Sequence, residues 1–269
     1  MIFREKSIKR SFAHIHCMLG RNRLIFIYVM IIPLVIFFFE VHANARGNLP
    51  FHEGEKITFQ ARWGLIPAGE SILEVLPSKI VKGVPAYHFS MITETNRYID
   101  LIYKVRERQD SYVDTNLTHT LLYTKQSEGK HPRNVVVNID WERKTASYNN
   151  FGEEMNPVSI LPGTFDPLSL IYVIRLHALA EGTVITIPVT DGKTCIPAKA
   201  EISRRESIIV SGKQYDAVLV ESDLEVLDKD GDGSNLKIWF TADDRKVPIR
   251  MQFKRHVIEF TFDIVAKEE

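Results

Sequence analysis

Hydrophobic and polar residues alternate along most of the chain from residue 55 onward. In residues 56–63, for example, Ile57, Phe59, Ala61 and Trp63 occupy every second position and therefore share one face. This period of two is typical of half-buried β-strands. It predicts strands over residues 56–63, 71–76, 86–95, 99–106, 109–114, 119–126, 133–141, 144–148, 183–189, 195–205, 206–210, 214–226, 235–241, 248–255 and 257–265. Short polar breaks separate most of them, which indicates antiparallel pairing.

Glycine and proline mark the predicted turns. Residues 64–69, Gly-Leu-Ile-Pro-Ala-Gly, are expected to turn the chain between the first two strands. Pro77 is expected to end the second strand, because proline lacks the N–H group that a central strand position donates.

One segment carries helical signals that agree with one another. Asp166 can cap free N–H groups, Pro167 suits the first helical position, and Gly182 lies beyond the end. Apolar residues after Pro167 cover more than one face, so this helix near residues 166–180 is expected to be buried against a sheet. We therefore predict a mainly β fold: an antiparallel open or half β-barrel, from a curved sheet or sandwich, with one buried helix.

The first 45 residues differ from the rest. Six Lys or Arg residues precede residue 24, residues 24–39 are apolar, and small residues Ala43 and Ala45 suit a signal peptidase. This predicts a signal peptide over residues 1–45, followed by a single β-rich exported domain over residues 46–269. As a helix the apolar run would span about 24 Å, short of a hydrocarbon core of about 30 Å. The long cationic leader keeps an uncleaved anchor as the alternative, and either form predicts a periplasmic or other extracytoplasmic location.

Net charge and cysteine content argue against nucleic-acid binding and against a disulfide-stabilised fold. Without residues 1–45, which hold six basic and two acidic residues, the net charge changes from zero to −4. No basic stripe is present to neutralise phosphates, so the sequence argues against nucleic-acid binding. Cys195 is the one cysteine after the leader, which excludes an internal disulfide in the exported part. It is expected to be a small buried residue.

The sharpest local motif is the acidic segment 228–234, Asp-Lys-Asp-Gly-Asp-Gly-Ser. Asp228, Asp230 and Asp232 imitate the first half of a calcium loop, but Trp239 stands where the bidentate Glu should be. Two interpretations stay open: a weak Ca²⁺ site on these three carboxylates, or a hairpin loop without a cofactor.

Other titratable residues give no catalytic pattern. The histidines are scattered, His88 and His119 fall within predicted strands, and His177 on the predicted helix can face a cavity. The acidic pairs invite comparison with glycoside hydrolases, yet adjacent strand residues point to opposite faces, so solvated charge is expected for all four: Glu53, Glu55, Glu153 and Glu154. The sequence therefore assigns no catalytic residue and favours a non-catalytic protein over an enzyme.

Aromatic residues fall mainly within the predicted strands. Either they fill the core between sheet and helix, or a concave sheet carries them as the lining of an apolar groove. The second interpretation suggests non-catalytic binding of an apolar or amphipathic envelope ligand such as lipid. The alternatives are a hydrolase acting on envelope glycan or peptide, with His177 and a neighbouring carboxylate, and a calcium-stabilised scaffold module. Membrane contact is otherwise expected only through an uncleaved N-terminal segment.

Several short motifs, taken in order, carry a family resemblance. They are Gly54-Glu55, residues 63–69 (Trp-Gly-Leu-Ile-Pro-Ala-Gly), the helix start at Asp166 with Arg175, Gly182, Gly192-Lys193, and residues 238–248. Together they resemble the bacterial domain-of-unknown-function family 3108 over about residues 51–265. The resemblance implies an exported, mostly β protein without an established activity, so no catalytic residue follows from it. The acidic segment 228–233 and the short charged C-terminal end depart from the family pattern.

Overall fold

A computed structural model describes residues 49–129, 132–222, 236–255 and 258–265. The described residues form two short helices, α1 (Arg97–Asp100) and α2 (Ser169–Arg175), and fifteen strands. The strands are β1 (Lys56–Trp63), β2 (Ile66–Val81), β3 (Val84–Thr95), β4 (Val105–Asp114), β5 (Thr120–Gly129), β6 (Arg133–Asp140), β7 (Thr145–Asn150), β8 (Glu153–Glu154), β9 (Val158–Ser159), β10 (Val184–Thr190), β11 (Cys195–Val210), β12 (Lys213–Ser222), β13 (Leu236–Thr241), β14 (Pro248–Arg255) and β15 (Ile258–Ile264). Neither helix is long and apolar enough to cross a bilayer.

All fifteen strands belong to one antiparallel sheet. Its order is β10-β11-β12-β13-β14-β15-β1-β2-β3-β4-β5-β6-β7-β8, with β9 also paired to β7. Apart from the β7–β9 pair, neighbours in the sheet are neighbours in sequence except where β1 pairs with β15. The predicted antiparallel, mainly β fold is confirmed.

The sheet coils around a core, and α2 lies inside it. Every residue of α2 is buried, and its Tyr172 ring stacks on Phe89 of β3 with centroids 3.9 Å apart. Phe51, before β1, packs edge-on against both rings at 5.2 and 5.5 Å. Aromatic side chains thus fill this part of the space between sheet and helix. Burial raises the pKa of Tyr172, with a further contribution from Glu55.

The sheet stays open, although one segment between its ends makes strand-like contacts. The Phe165 N–H donates to the Pro188 carbonyl at 2.8 Å, and the Thr190 N–H donates to the Phe165 carbonyl at 2.9 Å. On the other side, the Thr120 N–H donates to the Thr164 carbonyl at 3.1 Å. The predicted open or half barrel with one buried helix is therefore confirmed, and residues 164–165 link its two halves.

The structure corrects several local predictions. The turn predicted over residues 64–69 is confined to residues 64–65, because β2 begins at Ile66, and the two strands predicted over residues 195–210 are one strand, β11. Pro77 does not end the second strand, because β2 continues to Val81 past an irregularity in the pairing between Leu76 and Lys79. The buried helix ends at Arg175 instead of near residue 180. The predicted strand over residues 99–106 is mostly α1 and a loop, and only its last two residues belong to β4.

Gly69 permits the close approach of β2 and β3. A Cβ atom on Gly69 would lie 2.0 Å from the Glu94 carbonyl oxygen and 2.8 Å from the Thr95 Cα. We expect Gly69→Ala to lower the free energy of unfolding by about 2–3 kcal/mol, because backbone must move to relieve the overlap. Gly83→Ala is the control: its Cβ would meet open space, so only the left-handed conformation of Gly83 should cost about 1 kcal/mol. Equal losses in urea unfolding would show that the overlap with β3 is not the cause.

Candidate functional site

Four aromatic side chains form a row across the three central strands. Trp63 of β1 stacks on Phe260 of β15 with centroids 6.4 Å apart, and Phe260 stacks on Phe253 of β14 at 5.0 Å. Phe262 lies next to Phe253 at 5.9 Å. Strand register explains the row, since Trp63 pairs with Phe260 and Phe260 with Phe253. We call these four residues the aromatic row.

The aromatic row continues the face of the sheet that carries the core. Phe59, Ala61 and Trp63 alternate along β1 on this face, and the first two are buried while Trp63 is half-buried. Phe253, Phe260 and Phe262 are half-buried as well. The core face therefore ends in stacked rings that remain accessible, which is the kind of surface that takes up apolar parts of a ligand.

Two connections beside the aromatic row expose large apolar side chains. The β1–β2 turn carries Leu65 and Ile66, and Ile66 pairs with Trp63 of the row. The β3–β4 connection lies against this turn, because the Asn96 side chain donates to the Pro67 carbonyl at 2.7 Å. The exposed side chains, which we call the apolar loops, are Leu65 (92%), Ile66 (57%), Tyr98 (64%), Leu101 (86%), Ile102 (73%) and Tyr103 (51%).

Polar contacts fix the β3–β4 connection. The Asn96 side chain caps α1 by accepting from the N–H groups of Tyr98 and Ile99. Arg106 donates to both carboxylate oxygens of Asp100 at 3.1 and 2.6 Å, and Thr95 donates to the same carboxylate at 2.5 Å. The hydrogen bond from Arg106 is the main cause of the lowered pKa of Asp100. The backbone is therefore held in place while the apolar side chains point to solvent.

Sequence reasoning missed the apolar loops. The apolar residues between Tyr98 and Tyr103 contributed to a strand prediction, yet Asn96 is a favoured helix N-cap and Asp100 an acidic residue in the first turn, which together indicate a helical turn. The aromatic row was only partly anticipated: its members were among the aromatic residues assigned to strands, but their stacking depends on register that sequence alone does not fix.

A buried ion pair joins α2 to the start of the sheet. Arg175 has no exposed side-chain surface and donates to the two carboxylate oxygens of Glu55 at 2.6 and 3.0 Å. It also donates to the carbonyls of Pro50 and Arg245 at 2.6 and 3.0 Å. The expectation of solvated charge was therefore wrong for Glu55, because a cation 120 positions away in sequence faces it. Glu53, Glu153 and Glu154 are exposed as expected.

Asp166 organises a second buried polar cluster at the start of α2. One carboxylate oxygen accepts from the N–H groups of Leu168 and Ser169 at 2.9 and 3.0 Å, as the sequence predicted for a capping residue. The other accepts from the hydroxyls of Ser111 on β4 and Thr120 on β5 at 2.5 and 2.7 Å. These contacts attach the helix to the sheet and are architectural.

His88 belongs to a third polar cluster, on the opposite face of β3 from Phe89. Its Nε2 lies 2.7 Å from Asp110, which also accepts two hydrogen bonds from Arg108 at 2.7 and 2.8 Å. Burial alone would raise the pKa of Asp110, but the bonds from His88 and Arg108 outweigh it and hold the pKa well below its usual value. Tyr112 stacks on the His88 ring at 4.5 Å. The Arg108 side chain remains 43% exposed, and the buried His88 Nδ1 has no hydrogen-bond partner in the part of the chain that the structure describes.

The remaining sequence candidates do not converge. Asp228, Asp230 and Asp232 lie outside the described residues, so the Ca²⁺ site stays a prediction. Within the described ranges, no group of three or more His, Cys, Asp or Glu residues could hold a metal ion. His177 lies on the surface after α2. Partial burial of its ring, and to a lesser degree the Lys246 ammonium, lowers its pKa. Cys195 is half-buried, with its Sγ 3.6 Å from the Thr164 hydroxyl.

The family comparison agrees with this architecture. The model of the family described as "Protein of unknown function (DUF3108)" matches residues 58–264. The chain belongs to the DUF3108 family. A search of curated proteins gives no match. Among solved structures, a β-barrel-like protein of the domain of unknown function DUF1849 from Brucella abortus is similar in fold. The two share 10% identity over 78% of this chain and 95% of that one, with a TM-score of 0.51.

The motifs that suggested DUF3108 have structural roles in this chain. Glu55 and Arg175 form the buried ion pair, and Asp166 caps α2. Gly192 packs directly on Val137, where a Cβ would lie 2.9 Å from two methyl groups. The motif residues therefore explain the fold, while Trp63 and the turn after it also reach the accessible surface described above.

Proposed function

We propose that this DUF3108 protein is exported to the cell envelope and binds, without catalysis, an apolar or amphipathic envelope ligand on the aromatic row. The observation that carries the proposal is the half-buried stack of Trp63, Phe260 and Phe253 on the face that elsewhere forms the core. Flat, rigid rings offer large apolar area with little entropy to lose on binding. The N-terminal segment supports export, because a cationic flank precedes an apolar run and small residues.

The expected ligand has an acyl chain or another apolar portion with a polar end. The rings supply apolar contact, and polar groups lie on the same face farther along the sheet. There the half-buried Thr93 hydroxyl lies 2.9 Å from the hydroxyl of Ser71, which is itself fully buried. Glu107 and Lys125 pair at 2.9 Å on the neighbouring strands β4 and β5. An amphipathic molecule can thus lie with its apolar part on the row and its polar part toward these groups.

Quenching of tryptophan fluorescence by a brominated lysophospholipid, kept below its micelle concentration, tests this function. Bromine in the acyl chain should quench Trp63 when the chain lies on the row. The quenching should disappear in Trp63→Phe, which retains Trp141 and Trp239. Phe253→Glu should weaken binding by at least about tenfold, because ligand binding would desolvate the new carboxylate.

Phe151→Glu is the matched control, since Phe151 is a 60% exposed phenylalanine on the β7–β8 turn. It should leave the affinity unchanged. If Trp63→Phe is quenched as strongly as the unmodified chain, or if both glutamate variants lose affinity equally, the aromatic row is not the binding surface.

A further inference from the structure

We infer that the apolar loops dock this protein onto the surface of an anionic phospholipid membrane. Four of their six side chains fall within residues 98–103, and each of the six is more than half exposed. Side chains of this size and number, displayed next to one another at loop tips, indicate an interaction surface. The inference does not depend on ligand binding by the aromatic row, because it rests on different residues.

The order of residues in the β3–β4 connection fits a lipid interface. Leu101 and Ile102 lie between Tyr98 and Tyr103, and Arg97 and Lys104 stand outside the two tyrosines. At a membrane surface, aliphatic side chains enter the acyl boundary, tyrosines remain at the headgroup level, and Arg or Lys reach the phosphates. The segment presents these three classes in that order from its centre outward.

Within residues 97–104, the charges favour an anionic lipid. Asp100, the one acidic residue between Arg97 and Lys104, is paired with Arg106 at 2.6 Å. Arg97 lies over the Tyr98 ring, 4.7 Å from its centroid, and donates to the Tyr98 hydroxyl at 2.6 Å. Lys104 is half exposed and 3.8 Å from Glu128, a contact too long and too solvated to hold the ammonium firmly. Among the described residues, neither Arg97 nor Lys104 has a firm contact with a carboxylate, so both can turn to lipid phosphates.

Rigidity distinguishes this surface from a loosely exposed loop. The Asn96 cap and the contacts of Asp100 with Thr95 and Arg106 hold the backbone before any partner binds. Little conformational entropy is then lost on docking. Sequence reasoning confined membrane contact to the N-terminal segment, and this surface adds a second contact within the β domain.

Hydrogen exchange of the full chain tests the inference because it measures protection segment by segment. Protection of the apolar loops can then be distinguished from binding through the N-terminal segment. Vesicles of phosphatidylcholine with phosphatidylglycerol should slow exchange in residues 98–104, whereas residues 80–84 at the β2–β3 turn should be unaffected. Vesicles of phosphatidylcholine alone should protect the loop less. Unchanged exchange in residues 98–104 would overturn the proposal, and equal protection by both vesicles would overturn its anionic part.

A charge-insertion variant provides the second arm. Leu101→Asp with Ile102→Asp should abolish vesicle protection of the loop and weaken the vesicle affinity of this domain surface at least about tenfold. The control, Ile80→Asp with Val84→Asp, alters two exposed apolar residues at the opposite end of β2 and β3 and should retain protection. If the loop is protected without vesicles in a concentration-dependent way, and the first variant abolishes that, the partner is a second copy of the chain and the lipid assignment is wrong.

Discussion

Arg175→Met is expected to lower the free energy of unfolding by about 3–5 kcal/mol, the largest effect of any single substitution proposed for this protein. The change keeps most of the side-chain volume but leaves the Glu55 carboxylate buried, only 5% exposed, without its cation. It also removes the donors to the carbonyls of Pro50 and Arg245, so residues 50–55 and the β13–β14 turn lose their common partner. Urea unfolding followed by far-ultraviolet circular dichroism measures the loss.

Two further variants isolate the contribution of the buried ion pair. Arg143→Met removes an arginine that is 84% exposed and 3.8 Å from Asp140, and it should change stability by less than about 0.5 kcal/mol. Combining Arg175→Met with Glu55→Leu removes the buried charge altogether and should recover much of the lost stability. If the double variant is no more stable than Arg175→Met alone, the carbonyl contacts of Arg175 account for the effect and the unpaired carboxylate does not.

Asp166→Ala is expected to cost about 3–4 kcal/mol, because four donors lose an acceptor in a buried site. Two are the N–H groups of Leu168 and Ser169, and two are the hydroxyls of Ser111 and Thr120. The same denaturant experiment measures the loss. Since the capped helix attaches here to β4 and β5, the near-ultraviolet signal of Tyr172, stacked on Phe89, should also weaken.

Asp243→Ala is the matched control for this capping aspartate. Asp243 accepts from the Thr241 hydroxyl at 2.7 Å and from the N–H groups of Arg245 and Lys246 at 3.2 Å, but it is exposed. Water can replace the lost acceptor, so the substitution should cost about 1 kcal/mol or less. Similar losses for Asp166→Ala and Asp243→Ala would show that burial does not set the strength of the Asp166 contacts.

Local patterns predicted most of the strands and the start of the helix. Alternation over residues 56–63 and 248–255 gave strands with the bounds that β1 and β14 have. Asp166 caps α2 as predicted, since a capping contact involves only neighbouring residues. These features are set by spacing along the chain, which a single sequence displays directly.

Contacts between distant segments could not be predicted in the same way. Glu55 was assigned to solvent because nothing near it in sequence reveals that Arg175 faces it. The aromatic row needs the register of β1, β14 and β15, and a shift by one residue would turn its rings to the other face. Apolar character at Leu101 and Ile102 contributed to the prediction of a strand over residues 99–106, whereas the structure exposes both residues in a loop after α1. The alternation of apolar and polar residues predicts local backbone geometry, but it does not show which apolar side chains pack against other segments.

The pairing of β1 with β15 has a consequence for how the protein is made. The first strand of the sheet obtains its second neighbour only when the last strand is available, since Phe59 pairs with Ile264. During synthesis β1 therefore keeps an open edge until β15 has emerged, and unpaired edges favour association with other chains. Loss of β15 would leave that edge permanently uncovered. A nascent chain of this kind is therefore most exposed to association with its neighbours before β15 has been made.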